Sequence, residues 1–430
     1  MHESADFAER GDGMSEGGPG STPGLRRVVT FPGLLLYGLG STVGAGIYIL
    51  TGVVAGRAGY WAPLAFALAG VVAAFTAMSF AELSSRFPRA GGALVYVQEG
   101  FRRPRFALVV GLATASAGAI SAATGSLGFV AYLSEIIAIP APLALATVVL
   151  GVAGIAAWGV KESVTAASIV TLVEIGGLLV IVAFGGVHLA DAPSSTFDGT
   201  FAAAPSFGEW TLILQSVVLC FYAFLGFEDI VNVAEEVRDA PRVMPRAILW
   251  TLGISTALNC VVAAVAVLVV PPEALGEAEA PLALVLERAG GRPEMISMVA
   301  LVAMLNGSLV QVVMASRILM SLAREGALPA WLGRIHPGTG TPVPATAFVA
   351  AVVGTLAATL PMERLAAATA SVALAVFVLV NLSLVAVLLR ERRSGGAGER
   401  RISIAIPLFG AAASTLFLAL ELSERIGAML

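Results

Sequence analysis

The chain has 430 residues, a mean hydropathy of +0.89 and a formal net charge of −4. Hydrophobic residues make up 57% of it and charged residues only 13%. Soluble proteins contain about 25% charged residues, so this composition excludes an ordinary soluble domain. We therefore expect the lipid bilayer as a partner, and no nucleic acid. Cys220 and Cys260 each lie in an apolar run, which argues against a disulfide framework or a thiolate metal site.

Residues 1–24 are rich in Gly, Ser, Glu and Asp, which predicts a disordered cytoplasmic tail without a signal peptide. Beyond the tail, apolar segments follow one another closely, and most reach the ~20 residues needed to cross a bilayer. Each segment must be helical, because lipid offers no hydrogen-bond partner to an open backbone. The predicted spans are residues 30–56, 62–86, 106–138, 141–160, 163–187, 211–234, 245–270, 295–322, 343–360, 366–389 and 403–421.

The positions of the basic residues predict the orientation of the chain. If the amino terminus is inside, most arginines between spans lie in the cytoplasm, as the positive-inside rule requires. The carboxyl terminus then lies outside. The arginines that remain in outer segments are Arg57, Arg288, Arg292, Arg364 and Arg425. We expect the acidic residues of the outer segments 188–210 and 271–294 to face water.

The first span contains an unusual density of glycine. Residues 38–50 read GLGSTVGAGIYIL, with Gly38, Gly40, Gly44 and Gly46 at mid-depth. Because glycine costs ~1 kcal/mol relative to alanine inside a helix, this pattern indicates an unwound backbone that approaches another group closely. The alternative is regular helix packing through small residues, which the spacing of Gly40 and Gly44 also fits.

The sixth span shows a second sign of interruption. Residues 221–237 read FYAFLGFEDIVNVAEEV, in which Gly226 is followed by Glu228 and Asp229. A central carboxylate costs ~2.5–3.5 kcal/mol on insertion scales, so such groups face a water-filled cavity or a partner. The two interrupted spans are five helices apart, so corresponding helices run in opposite directions, which is the geometry of an inverted repeat.

Paired interruptions of this kind can hold a zwitterion. A half-helix that begins near Gly44 directs N–H groups and its positive dipole end at an anion. Half-helices that end near Thr42 and within 222–225 direct carbonyl groups at a cation. An α-amino acid carries both charges on one carbon, so it fits this arrangement.

At these residues the chain resembles the amino acid–polyamine–organocation superfamily of permeases. Further matching stretches are residues 81–101, which run from the end of helix 2 into a loop, and residues 221–248 and 316–329. The resemblance implies an all-α, LeuT-like fold of two inverted five-helix repeats with discontinuous helices 1 and 6. The resulting division is a tail at 1–24, a transporter core at 25–390 with repeats at about 25–190 and 205–390, and a cytoplasmic loop with one additional helix at 391–430.

The resemblance also assigns residues to a binding site. The residues matched to the carboxylate site of relatives are Thr42, Val43, Gly44, Ala45 and Gly46. Carbonyl groups of Tyr222, Ala223 and Leu225 would take the amino group. Phe221, Phe224 and Phe227 would wall the side-chain pocket, although ordinary helix packing explains each phenylalanine equally well.

Two carboxyl groups are candidates for ion or proton coupling. Glu228 matches an acidic position that similar exchangers use in gating or proton sensing, and removal from water favours the protonated form of a carboxyl group. Its alternative role is to bond an unwound backbone. Glu174 stands where proton-coupled relatives carry a lysine, and its alternative is a helix-packing hydrogen bond. A sodium site at Asn306 and Ser308 is disfavoured, since both can simply bond between helices.

These features predict a secondary active transporter for an amino acid, proton-coupled or exchanging, in the plasma membrane. The alternatives are an amine or polyamine transporter of the same fold and a receptor that binds without transport; a membrane-embedded enzyme ranks last. We expect no cofactor and no metal, because His2, His188 and His336 lack metal-ligand spacing. No phosphate-binding G-x-x-x-x-G-K-[ST] segment occurs, so a gradient must drive transport. The patterns weakly favour neutral substrates.

Overall fold

A computed structural model describes residues 28–89, 91–159, 164–192, 204–393 and 402–427. Within these ranges the chain is helical, and the only β-type pairing there is an isolated bridge between Val29 and Val237. The tail predicted at 1–24 lies outside the described residues. The all-α fold class predicted from the sequence is confirmed.

The helices follow the apolar segments of the sequence. In chain order they are α1 Phe31–Thr42, α2 Ala45–Ala58, α3 Ala62–Arg86, α4 Gly92–Phe101, α5 Pro104–Ser134, α6 Ala141–Trp158, α7 Val164–Asp191, α8 Phe207–Tyr222, α9 Ala240–Val269, α10 Pro272–Glu277, α11 Pro281–Arg288, α12 Pro293–Arg324, α13 Val343–Thr359, α14 Met362–Arg393 and α15 Ala405–Gly427. Short 3-10 segments cover Gly59–Trp61, Phe227–Glu236 and Ala330–Gly333.

The described residues contain 9 helical runs long and apolar enough to cross a membrane. One of them, Ala45–Arg86, joins α2 and α3 through Gly59, whose φ of +59° ends α2. This run therefore holds parts of two predicted spans. The shorter apolar helix Val343–Thr359 corresponds to the ninth predicted span. Every apolar segment of the sequence thus coincides with helix, as expected for a polytopic membrane protein.

The structure corrects the prediction that a loop follows the second span. Helix α4 occupies part of that stretch, and it begins at Gly92 with Gly91 as its N-cap, both at positive φ. Its Tyr96 and Val97 are fully buried, and Gly100 packs against Ser383 of α14. Burial of this one face stabilises a helix too short to be stable alone.

A large apolar core surrounds the first and sixth spans, with members from α1, α2, α3, α8, α9 and α14. A second core joins α5, α6, α12 and α13. The main chain also links the start of the first span to the end of the sixth. The Val29 N–H donates to the Glu236 carbonyl at 2.9 Å, and the Arg238 N–H donates to the Val29 carbonyl at 2.9 Å.

Candidate functional site

The first span is interrupted where the glycine pattern predicts. Helix α1 ends at Thr42, and α2 begins at Ala45 with Gly44 as its N-cap and no side chain capping it. The first N–H groups of a helix have no partner within it, so those of α2 point toward the interruption. The Thr42 hydroxyl donates to the Gly38 carbonyl at 2.8 Å. The main chain, rather than this hydroxyl, is therefore the group that can bind an anion.

The sixth span opens at a corresponding point. Helix α8 ends at Tyr222, and the N–H groups of Ala223, Phe224 and Leu225 donate to carbonyls three residues back at 3.0, 3.0 and 3.2 Å. Gly226 then adopts a φ of +124°, and the chain continues as a 3-10 helix. A positive φ suits glycine, which explains why the helix ends here.

The two interruptions touch each other. A Cβ built on Gly46 would lie 2.5 Å from the Cα of Ala223, and one built on Gly226 would overlap the carbonyl of Ser41. In addition, the Ser41 hydroxyl donates to the Asp229 carboxylate at 3.0 Å. Unwinding and close packing, which the sequence posed as alternatives, therefore occur together.

The predicted carbonyl acceptors are partly engaged already. The Tyr222 carbonyl accepts from the Leu225 N–H at 3.2 Å, and the Ala223 carbonyl accepts from the Asn259 side-chain amide at 3.5 Å. Each carbonyl oxygen has a second lone pair for an ammonium group. The Tyr222 hydroxyl lies 3.1 Å from the hydroxyl of Ser121. Asn259 and Ser121 are polar neighbours that the sequence did not indicate.

Aromatic rings pack beside the sixth-span interruption. Phe221 contacts Phe377 with ring centroids 5.7 Å apart, and Phe227 contacts Phe80 at 5.8 Å. Phe80 and Phe377 contact each other at 5.6 Å, and Phe224 is also buried. The rings of all three pairs meet edge to face, an arrangement that aromatic pairs prefer. The sequence missed Phe80 and Phe377, because apolar residues on α3 and α14 carry no local sign of this contact.

The two coupling candidates lie in different surroundings. The Glu228 carboxylate accepts from the Gly226 N–H at 2.8 Å, the contact expected if it supports the unwound backbone. Glu174 is fully buried on α7, and within the described residues neither carboxylate oxygen has a hydrogen-bond partner. Asn306 of α12 lies beside this carboxyl group. Burying an unpaired carboxylate is costly, so this surrounding favours a protonated group or a bound cation.

Hydroxyl groups connect the backbone of Glu174, in α7, to helices α2 and α5 and to the short helix α11. The Tyr48 hydroxyl donates to the Glu174 carbonyl at 2.8 Å, and the Tyr132 hydroxyl donates to the Tyr48 carbonyl at 2.7 Å. The Leu282 N–H of α11 in turn donates to the Tyr132 hydroxyl at 3.4 Å. Helices α2, α5, α7 and α11 are thus joined. Ser308, in contrast, bonds the Ala122 carbonyl at 3.4 Å, in line with a packing role.

A cavity of about 450 Å³ lies next to the interruptions. Its lining includes Glu228 and Asp229 of the sixth span and Tyr37 of α1. Residues 42–46 and 221–225, the predicted binding residues, do not line it. The open space of this cavity therefore begins beyond the interruptions.

Two interrupted helices in contact inside a polytopic helical bundle are typical of secondary membrane transporters. A family sequence model described as "Amino acid permease" matches residues 30–422. The chain therefore belongs to the amino acid permease family. It is a multi-pass membrane protein and an amino acid transporter.

Individual relatives agree with this assignment. An uncharacterized transporter of Mycobacterium tuberculosis is 35% identical over 344 residues, which cover 78% of this chain and 74% of that protein. The vacuolar cationic amino acid transporter 2 of Arabidopsis thaliana is 31% identical over 84% of this chain and 59% of its own length. The branched-chain amino acid permease BcaP of Bacillus subtilis is 25% identical, covering 84% and 81%.

Proposed function

We propose that the amino acid binds between the two interruptions. Its carboxylate meets the N–H groups at Gly44, Ala45 and Gly46, and its ammonium group meets carbonyls within 222–225. The contact between Gly46 and Ala223 supports this site most strongly, because it brings the positive end of α2 to the carboxyl end of α8. A zwitterion can bridge these ends without a charged protein side chain.

We further propose that the protein works in the plasma membrane with its amino terminus in the cytoplasm. Residues 25–190 and 205–390 form two inverted repeats, and 391–430 adds one helix outside them. The cavity beside Glu228 is then the cytoplasmic exit, a reading supported by the arginine-rich segments on that side. Interruptions that contact each other next to an open cavity fit a state near the end of transport.

A third proposal concerns the driving force. Glu174 and Glu228 take up protons during the cycle, which makes the transporter proton-coupled. The unpaired Glu174 carboxyl group supports this role, since an ionised form would be buried without a partner. Flux in proteoliposomes, measured from pH 5 to 8 for wild type, Glu174→Gln and Glu228→Gln, tests the idea. We expect the pH dependence to flatten in at least one variant, and unchanged profiles in both would rule out coupling through either.

The last proposal concerns the side chain of the cargo, which we expect to be apolar. The aromatic cluster of Phe80, Phe221, Phe227 and Phe377 supports an apolar side chain. Relatives are named for cationic and for branched-chain amino acids, so the test compares one amino acid of each kind. We expect labelled leucine to enter proteoliposomes faster than labelled lysine. Faster lysine uptake would contradict the apolar assignment, and tight binding without flux of either would indicate a receptor.

A further inference from the structure

The cavity next to the interruptions has charged walls on two sides. Glu228 and Asp229 come from the 3-10 segment of the sixth span, Arg317 comes from α12, and Glu325 caps the carboxyl end of α12. Larger apolar side chains from α3, α4, α12 and α14 also line the cavity. These larger apolar residues are Phe80, Leu94, Val310, Val313, Met314, Ile318, Leu322, Val376 and Phe377.

The charged groups are held in place by contacts with the main chain and with α1. Glu228 accepts from the Gly226 N–H at 2.8 Å, and Asp229 accepts from the Ser41 hydroxyl at 3.0 Å. Both residues line the cavity, and a carboxylate oxygen can accept more than one hydrogen bond, so a ligand there can donate to either group. Arg317 stands on a regular stretch of α12, with Ser316 and Leu319 buried on the other face of the helix.

Arg317 on one element and the sixth-span carboxylates on another match the two charged groups of a free α-amino acid. A guanidinium group binds a carboxylate through two parallel hydrogen bonds, and carboxylates bind an ammonium group. The volume of about 450 Å³ falls within the ~300–1,000 Å³ of small-molecule sites. Apolar residues between the charges provide room for a side chain. None of the residues predicted for the binding site contributes the positive charge.

We propose that the cavity is a second binding site, in which Arg317 holds the carboxylate of the cargo and Glu228 with Asp229 holds its ammonium group. The cargo occupies it after leaving the interruptions and before reaching the cytoplasm. This inference rests on the proposed amino acid cargo, and it adds Arg317 as a binding residue. It also predicts that the ligand's carboxylate is bound in the cavity by one side chain, that of Arg317, and not by backbone N–H groups.

The test compares ligands with and without a carboxylate. Binding of leucine and lysine, and of their decarboxylated forms isoamylamine and cadaverine, is measured on the purified full-length chain. Wild type, Arg317→Gln, Arg317→Lys and the control Arg334→Gln are compared. Arg334 follows α12 and does not line the cavity. A thermal melt of each variant without ligand reports whether it is folded.

We expect Arg317→Gln to weaken amino acid binding about tenfold or more, because a hydrogen bond to a charged group contributes ~1.5–3 kcal/mol. Binding of the two amines should stay unchanged. Arg317→Lys should fall between wild type and Arg317→Gln, since it keeps the charge but loses the two parallel bonds. Arg334→Gln should match wild type.

Equal weakening for amino acids and amines, or none for either in a folded Arg317→Gln chain, would overturn the second site. The same protein in proteoliposomes separates this outcome from failure of the transport proposal. Wild-type leucine flux with Arg317-independent binding refutes the cavity site alone. Arg317-dependent binding without flux refutes transport and supports the site, and no binding of any ligand by wild type refutes both.

Discussion

Replacing Gly46 with alanine should separate the two interruptions. The added methyl would lie 2.5 Å from the Ala223 Cα and 2.9 Å from its Cβ, whereas carbon atoms in contact are about 3.5–4.0 Å apart. The first of these atoms is backbone, so the clash cannot be relieved by a rotamer change. One of the two segments must shift by about 1 Å.

A shift of this size acts on the proposed binding site directly. Overpacking costs about 1–3 kcal/mol, which corresponds to about a fivefold to 150-fold loss of affinity if it falls on the bound state. Leucine binding to purified Gly46→Ala is the assay. Gly176→Ala is the control, because nothing lies within 4 Å of a Cβ at that position of α7. Wild-type affinity in Gly46→Ala would refute the assignment of the site to this contact.

Two further predictions concern stability in detergent. Gly226→Ala should lower the melting temperature, because it places a side chain at a φ of +124° and against the Ser41 carbonyl. The control Gly253→Ala, which has open space around the added methyl, should not lower it. Equal melting temperatures of the two variants would contradict the proposed backbone strain at Gly226. Burial, together with nearby carboxylates that include Glu287, raises the pKa of Glu135 at the end of α5. The folded chain therefore holds the Glu135 proton more tightly than the unfolded chain does. As a result, the folded state loses stability as the pH rises through the folded-state pKa. Glu135→Gln should therefore melt higher than wild type at pH 8 and alike at pH 4, and an equal gain at both would disprove this cause.

The sequence could predict the spans and their interruptions, because both follow from what lipid forbids. Long apolar runs must be helical, and a dense glycine pattern or a buried charge inside such a run signals a break. The observed ends at Thr42 and Tyr222 agree with this reasoning. Helix α4 was missed because ten residues with a Val-Tyr-Val centre carry too short a periodic signal to separate a helix from other structures.

The surroundings of the site could not be predicted in the same way. Phe80, Phe227 and Phe377 meet although they are far apart in the chain, and nothing local in the sequence marks that contact. Arg317 carried no sign of a cavity either, since an arginine near the end of a span more often faces water or lipid head groups. The unpaired state of Glu174 depends on helix packing, so only the structure reveals it.

The central claim is that one amino acid bridges the interruptions of the first and sixth spans. An experimental structure of the chain with leucine bound tests it most directly. We predict density for the leucine carboxylate against the N–H groups at Gly44–Gly46 and for its ammonium group against carbonyls within 222–225. Leucine bound only in the cavity at a saturating concentration, with the interruptions empty, or both spans running as unbroken helices, would contradict it.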